Sequence, residues 1–137
     1  MMTVLLVEDS PQRLDFFRYF YRDHEVYKAT DAAQAEQLLS QREFDLVQLD
    51  YDLADRGTSL DVAEYISRNH PRLTVVIHSE NQGGVVQLQT LLPDATACSF
   101  QNLTGESKGL SQLKQALPRM VASAGARQVA RLMGAIG

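Results

Sequence analysis

Short apolar runs that alternate with helix-like segments constrain the fold of this chain more than any other feature. Five runs have the length and composition of strands, at residues 3–7, 25–28, 46–49, 73–77 and 95–100. The segments between them place apolar residues at helical spacing, and the connections are short. Such alternation predicts right-handed crossovers and a parallel sheet with helices on both faces. We predict an α/β fold, a flavodoxin-like doubly wound five-stranded parallel sheet of strand order 2-1-3-4-5.

Capping residues and prolines indicate where the helices begin and end. Ser10 followed by Pro11 is typical of an N-cap and a first helical turn, and the helical spacing extends to Asp23. Asp31 is a similar cap for a second helix that extends to Arg42. Further helices are predicted over residues 61–69 and 85–92 and from Ser107 onward.

The end of the chain is predicted to be a short tail. Pro118 interrupts the last helical pattern and indicates a kink or a restart there. The segment after it is either a continuation of the last helix or a separate amphipathic helix. We therefore predict one domain over residues 1–122 and a short helical tail over residues 123–137.

Composition is that of a globular protein with a hydrophobic core of its own. Of 137 residues, 45% are apolar and 22% are charged. No apolar run approaches the ~18 residues of a membrane-spanning helix, and Glu8 and Asp9 come too early for a signal peptide. We therefore expect a cytoplasmic protein that does not bind membranes. The single cysteine, Cys98, argues against an internal disulfide and a cysteine-based zinc site.

The net charge of −4 is unevenly distributed along the chain. Residues 1–100 carry a net charge of −8, whereas residues 101–137 carry five Lys or Arg and one Glu, a net charge of +4. An acidic main part argues against direct binding of nucleic acid.

Two of the predicted strands end in pairs of carboxylates. Glu8 and Asp9 follow the first strand, and Asp50 and Asp52 follow the third. An aspartate after a strand commonly just begins a turn, so Asp50 alone would not indicate a site. In a sheet of the predicted order, however, the first and third strands are neighbours, and their carboxyl ends meet at one point. We therefore expect a cluster of carboxylates there.

Carboxylates without a neighbouring cysteine are ligands of hard cations. Converging Glu8, Asp9 and Asp50 side chains would suit Mg²⁺, which prefers oxygen and keeps several waters. With a cation beside it, Asp50 can act as a nucleophile toward a phosphoryl group. Ser79, after the fourth strand, could donate a hydrogen bond to a phosphoryl oxygen.

These strand ends resemble the receiver domain of two-component response regulators, the CheY-like family, over about residues 3–122. The residues that carry the resemblance are Glu8 and Asp9, Asp50, Gly57 and Ser79. The resemblance implies that Asp50 accepts a phosphoryl group from a histidine kinase or phosphotransfer protein and that Ser79 is the switch hydroxyl. It implies Mg²⁺ as the cofactor, held by Glu8, Asp9, Asp50 and the backbone at Tyr51–Asp52, so that Asp52 is included among the metal-binding residues.

Three positions depart from the pattern of that family. Gln101 stands where family members carry a lysine that contacts the phosphoryl group, and glutamine can donate a hydrogen bond but brings no charge. Cys98 replaces the aromatic residue of the fifth strand. Glu80 replaces a small residue after Ser79, where it would crowd and repel a phosphoryl group.

Residues 50–53 and 77–84 are similar to an atypical receiver subgroup, the cyclic-phosphate receiver-like domains. That resemblance implies binding of a nucleotide or cyclic-phosphate ligand. His78 could then bind a phosphate or act as an acid or base. The interpretation we favour is that His78 hydrogen-bonds a backbone carbonyl, and that Gly83 and Gly84 form a flexible turn.

The leading functional hypothesis is a stand-alone receiver module that binds Mg²⁺, with Asp50 as phosphoacceptor. Its output would be binding to a downstream protein or formation of a homodimer. It would not be an enzyme beyond phosphorylation and dephosphorylation of its own Asp50. The alternatives are a pseudo-receiver scaffold that is not phosphorylated, and a sensor of a small phosphate or nucleotide ligand that uses His78, Ser79 and Asp50.

Overall fold

A computed structural model of the chain describes residues 1–98. The strands are β1 (Thr3–Val7), β2 (Glu25–Ala29), β3 (Leu46–Leu49), β4 (Thr74–His78) and β5 (Thr96–Cys98). The helices are α1 (Pro11–Phe20), α2 (Ala32–Gln41), α3 (Leu60–Asn69) and α4 (Gln82–Leu91), with a 3-10 turn at Ala54–Arg56. The predictions for Gln101, the helix from Ser107, the boundary at residue 122 and the tail lie outside the described residues.

The five strands form one parallel sheet of order β2-β1-β3-β4-β5, which confirms the predicted fold. β1 lies between β2 and β3, and β3 lies between β1 and β4. Val7 pairs with Leu49, and Leu49 pairs with Ile77. The residues that follow these three positions therefore meet at the same edge of the sheet.

Helices cover both faces of the sheet, so the central strands are apolar on both sides. On one face, Leu5 and Val7 pack against residues of α2, α3 and α4. On the other face, Val4 and Leu6 pack with Leu14 and other residues of α1. This arrangement explains why the sequence of β1 is continuously apolar rather than alternating.

Side-chain caps start two helices where the sequence predicts them. The Ser10 hydroxyl accepts a hydrogen bond from the Arg13 amide, and the Asp31 carboxylate accepts one from the Gln34 amide. α1 ends at Phe20, three residues before the predicted end. After it the chain turns toward β2, since the Arg22 amide donates to the Tyr19 carbonyl and the His24 amide to the Tyr21 carbonyl.

α4 begins three residues earlier than predicted because Asn81 caps it. The Asn81 side chain accepts a hydrogen bond from the Gly84 amide, so Gly83 and Gly84 belong to the first turn of the helix. The prediction of a flexible turn at the two glycines is therefore wrong. A Cβ at Gly84 would overlap the ring of Tyr51, so the helix can approach this ring only with glycine there.

Within residues 1–98, none of the helices combines the length and the apolar character that crossing a bilayer requires.

Candidate functional site

Three buried polar side chains meet at the carboxyl edge of the sheet. Glu8 follows β1, Asp50 follows β3, and His78 is the last residue of β4. At most 1% of any of the three residues is exposed, and one ligand atom from each lies within 4.8 Å of the others. The parallel register produces this cluster, because β1, β3 and β4 are adjacent and end at the same level.

The Glu8 carboxylate is turned into the protein and accepts three hydrogen bonds. Its Oε2 accepts from the backbone amides of Asp9, at 2.9 Å, and Ser10, at 3.3 Å. Its Oε1 lies 3.1 Å from His78 Nε2. Burial by itself would raise the pKa of Glu8, but the hydrogen bonds from His78, Asp50 and the backbone outweigh it and lower this pKa to about 2. Glu8 is therefore a fixed anion.

A chain of buried hydrogen bonds orients His78 toward Glu8. The Tyr21 hydroxyl donates to Gln48 Oε1 at 2.6 Å, so the Gln48 amide nitrogen faces His78 Nδ1, at 2.9 Å. Nδ1 then accepts, and the ring proton is on Nε2, where it is donated to Glu8. Burial lowers the pKa of His78, which keeps the ring neutral.

The favoured interpretation of His78, a bond to a backbone carbonyl, is therefore wrong. Its partners are two side chains, Gln48 and Glu8. Sequence reasoning also missed Gln48 and Tyr21 as residues that support the site. The available signal was Gln48 itself, a polar residue inside the otherwise apolar strand β3.

Asp50 is paired with an arginine that the sequence analysis did not single out. Arg13 Nη1 lies 3.4 Å from Asp50 Oδ2 and 3.7 Å from Glu8 Oε1, and 31% of the Arg13 side chain is exposed. Burial and the nearby charge of Glu8 nevertheless raise the pKa of Asp50 to about 8. Arg13 lies in the first turn of α1, four residues after Asp9, and this position was the available signal.

The two other predicted metal-binding carboxylates differ in position. Asp9 is partly buried beside Glu8, and burial together with that carboxylate raises the pKa of Asp9. Asp52 is exposed, and its Oδ2 accepts a hydrogen bond from Asn81 Nδ2 at 3.4 Å. Asp50 and Asp9 therefore lie around Glu8, whereas the Asp52 side chain contacts the cap of α4.

Ser79 is buried directly after β4, where the sequence predicts a switch hydroxyl. Its Oγ accepts a hydrogen bond from the Asn81 amide at 3.1 Å, so it shapes the loop that leads into α4. Glu80 is exposed. The loop after β3 also contacts α4, because Tyr51 donates a hydrogen bond to Gln87 and its ring packs on Gly84.

The donor chemistry of the cluster fits a hard divalent cation. Asp9 and Asp50 offer carboxyl oxygens, and Glu8 adds a negative charge beside them. Carboxylate oxygens are the ligands that Mg²⁺ prefers. The ring nitrogens of His78 both face protein partners, so the oxygen donors dominate the site.

The parallel sheet and the acidic edge define the class of protein: a receiver domain of two-component signalling. The chain belongs to the family of cyclic-phosphate processing receiver domains, whose family model matches residues 4–94. Both resemblances noted in the sequence, to receiver domains and to their cyclic-phosphate subgroup, are thereby confirmed. A comparison with curated proteins found no match.

Solved structures of receiver domains share the fold of this chain. The receiver domain of a LuxO repressor protein from Vibrio parahaemolyticus is 20% identical, with a TM-score of 0.72, and the match covers 94% of this chain and 96% of that one. A CheY-like receiver from Methanospirillum hungatei is 16% identical, with a TM-score of 0.73 and coverages of 91% and 99%. The response regulator TrrA from Thermotoga maritima, solved in complex with Mg²⁺ and BeF, is 18% identical, with a TM-score of 0.69 and coverages of 88% and 99%.

Proposed function

We propose that this receiver domain binds Mg²⁺ at its carboxyl edge and accepts a phosphoryl group on Asp50. The observation that carries the proposal is the meeting of Glu8 and Asp50 at the ends of adjacent strands, with Asp9 beside them. Carboxylates packed this closely repel one another, and a divalent cation relieves that repulsion. The Mg²⁺–BeF complex of the similar regulator TrrA supports the same chemistry.

Each residue of the cluster has a distinct part in this proposal. Asp9 and Asp50 supply the oxygens that would hold the cation, while Glu8, whose oxygens already accept three hydrogen bonds, supplies charge. Bound Mg²⁺ would neutralise charge on the carboxylates and on the incoming phosphoryl group. The Asp52 side chain contacts Asn81, so we leave it out of the proposed ligand set.

The group transfer itself needs one nucleophile and one leaving group. An oxygen of Asp50 attacks phosphorus, the bond from phosphorus to the donor breaks, and the donor leaves with the bonding electron pair. The donor would be a histidine kinase or a phosphotransfer protein, and the output would be binding to a downstream protein. No turnover is proposed beyond gain and loss of this phosphoryl group. The cytoplasmic location stays a prediction.

Calorimetric titration with Mg²⁺, combined with intact mass after incubation with acetyl phosphate, tests the proposal. The wild type should bind Mg²⁺ and gain one phosphoryl group. Asp50→Asn should lose the adduct, and Asp9→Asn should weaken Mg²⁺ binding about tenfold or more because it removes a charged ligand. Asp15→Asn removes a charge from an exposed position on α1 and should behave as wild type. A wild type that neither binds Mg²⁺ nor gains mass would refute the proposal.

We propose as a second candidate that the same edge binds a small phosphate ester. Two observations favour it: the family is described as processing cyclic phosphates, and His78 is a buried imidazole in contact with the acidic cluster. A thermal-shift screen with 2′,3′-cyclic nucleotides tests it, since a ligand of the folded state raises the melting temperature by mass action. Equal melting temperatures with and without these nucleotides, at millimolar concentration, would exclude this candidate.

A further inference from the structure

Arg13 is held beside the acidic cluster by the start of α1. Ser10 caps the helix and accepts a hydrogen bond from the Arg13 amide, which fixes the backbone at this position. From there the side chain reaches across the end of β1 to Asp50 on the neighbouring strand. With 31% of its side chain exposed, Arg13 faces both the buried carboxylates and the solvent.

The ion pairs of Arg13 are long for contacts between full charges. Its Nη1 lies 3.4 Å from Asp50 Oδ2 and 3.7 Å from Glu8 Oε1. Well-formed charge-assisted hydrogen bonds between a guanidinium and a carboxylate are about 2.7–2.9 Å long. The two contacts therefore provide charge complementarity at distances longer than those of well-formed hydrogen bonds.

A phosphate group at Asp50 would be stabilised by a positive partner from the protein. It would add negative charge to an edge that already holds Glu8, Asp9 and Asp50. Among residues 1–98, Arg13 is the lysine or arginine that forms ion pairs with Glu8 and Asp50, whereas Arg56 acts on Asp9 by its charge and Arg42 pairs with Glu25 on β2. His78 is occupied between Gln48 and Glu8.

We propose that Arg13 is the phosphate-binding residue of this site, exchanging its contact with Asp50 for the oxygens of a phosphate group held there. The planar guanidinium donates two parallel hydrogen bonds to phosphate, which a lysine or a glutamine cannot do. The phosphate group is either a phosphoryl group on Asp50 or the phosphate of a small ester. This inference rests on the proposed function of the site and extends that function by naming the residue that binds the anion.

Two variants and one control isolate the role of Arg13. Arg13→Gln removes the positive charge and the paired hydrogen-bond donors of the guanidinium. Arg13→Lys keeps the positive charge but not the paired donors. Arg18→Gln removes a charge from an exposed position of the same helix and serves as the matched control. Circular dichroism and thermal melting establish that each variant is folded.

Three measurements are made on each protein. The first is the rate of adduct formation with acetyl phosphate and Mg²⁺, read by intact mass; an Asp50 oxygen attacks phosphorus and acetate leaves with the electron pair of the broken bond. The second is the affinity for a 2′,3′-cyclic nucleotide by calorimetry. The third is the affinity for Mg²⁺ alone, which reports on the carboxylates without any phosphate.

Arg13→Gln should reduce the rate of adduct formation, or the affinity for the nucleotide, about tenfold to a hundredfold, whichever of the two the wild type shows. Arg13→Lys should give an intermediate value. Its Mg²⁺ affinity should stay within about threefold of wild type or increase, because a competing cation is gone. Arg18→Gln should match the wild type in all three measurements.

The outcomes separate this inference from the proposed function. If the wild type binds the nucleotide but forms no adduct, and Arg13→Gln loses that binding, Arg13 is confirmed and phosphorylation of Asp50 is refuted. The inference is overturned if Arg13→Gln forms the adduct as fast as wild type and binds the nucleotide as tightly. It is also overturned if the Mg²⁺ affinity of Arg13→Gln falls by the same factor as its adduct formation or its nucleotide affinity. A wild type that responds to neither probe overturns it as well.

Discussion

Glu8 and Asp50 are both buried carboxylates at the ends of adjacent strands, yet their surroundings act on them in opposite directions. Glu8 accepts two backbone amides and the His78 ring, which stabilise its charge. Asp50 receives a long contact from Arg13 and lies beside the Glu8 charge. The pKa of Glu8 is therefore lowered and that of Asp50 is raised.

The raised pKa of Asp50 predicts a pH-dependent gain of stability in Asp50→Asn. In the folded protein Asp50 binds its proton up to about pH 8, whereas its ordinary pKa is 3.8. The contribution of this carboxyl to the free energy of unfolding therefore falls as the pH rises from about 4 to about 8. Asparagine has no proton to lose, so the variant should be more stable than wild type at pH 8 by on the order of 1–3 kcal/mol.

Urea unfolding at pH 5, 6.5 and 8, without divalent cations, measures this difference. The stability advantage of Asp50→Asn should be small at pH 5 and should grow toward pH 8. Asp52→Asn, at an exposed carboxylate outside the buried cluster, is the control. A difference between Asp50→Asn and wild type that is the same at pH 5 and pH 8 would contradict the raised pKa of Asp50.

The Tyr21 hydroxyl anchors the hydrogen bonds that orient His78. Tyr21→Phe keeps the ring in the core but leaves Gln48 Oε1 without its 2.6 Å donor, and this should cost about 1–2 kcal/mol of unfolding free energy. Nitrogen NMR of His78 should show Nε2 protonated in the wild type and a mixed tautomer population in the variant. Tyr19→Phe, at a 67% exposed position near the end of α1, should change neither quantity. A wild-type His78 ring that carries its proton on Nδ1 would refute the proposed direction of the hydrogen bonds from Tyr21 through Gln48 to His78.

At the scale of secondary-structure elements, capping chemistry was the most predictive feature of the sequence. Ser10 and Asp31 were identified as caps, and both accept the expected backbone hydrogen bond. The start of α4 was missed because Gly83 and Gly84 are unfavourable in helices and the cap, Asn81, lies just before them. The reason for the glycine is tertiary: Tyr51, from the loop after β3, occupies the space of a side chain at position 84.

The two glycines of α4 should respond oppositely to alanine. Alanine at an ordinary helix position is favoured over glycine by about 1 kcal/mol. At Gly83 the added Cβ meets only Asn81 Oδ1, at 3.6 Å, so Gly83→Ala should stabilise the protein by several tenths of a kcal/mol to about 1 kcal/mol. At Gly84 the Cβ would overlap the Tyr51 ring, so Gly84→Ala should destabilise it by about 1–3 kcal/mol.

Chemical denaturation of the two single variants and of Gly84→Ala combined with Tyr51→Ala measures these effects. The double variant should show a smaller loss than the two single losses added together, because removal of the ring removes the overlap. Strict additivity of the two losses would show that Tyr51 is not the obstacle at position 84.

At the scale of the whole molecule, the strand order was the prediction on which the site depended. Alternating elements and short connections were sufficient to place β1 beside β3 and so to bring Glu8 and Asp50 together. The partners of His78 and Asp50 were missed, because Gln48, Tyr21 and Arg13 are far from them in sequence. Gln48 reaches His78 across the adjacent strands β3 and β4, whereas Tyr21 and Arg13 are brought there by the packing of α1 against the sheet.

Binding of Mg²⁺ should stabilise the whole domain by mass action. At a concentration of 100 times Kd the gain in unfolding free energy should be about 2.7 kcal/mol, and it should fall to about 1.4 kcal/mol or less in Asp9→Asn at the same concentration, because Kd rises about tenfold or more. Because Asp50 is protonated near pH 7 and must ionise to bind a cation, about one proton should be released per ion. Calorimetry of Mg²⁺ binding in two buffers of different ionisation enthalpy measures the number of protons released. Equal apparent binding enthalpies in the two buffers would contradict proton release.

Successive residues of a strand point to opposite faces of the sheet. The number of residues in β3 therefore decides which of its side chains lie on the same face as Asp50. One residue more or fewer between Leu46 and Asp50 would turn the Gln48 amide away from α1 and leave the His78 ring without its donor. Changes of side chain can adjust this site gradually. Insertions and deletions in β3 would dismantle it in a single step, even with every carboxylate retained.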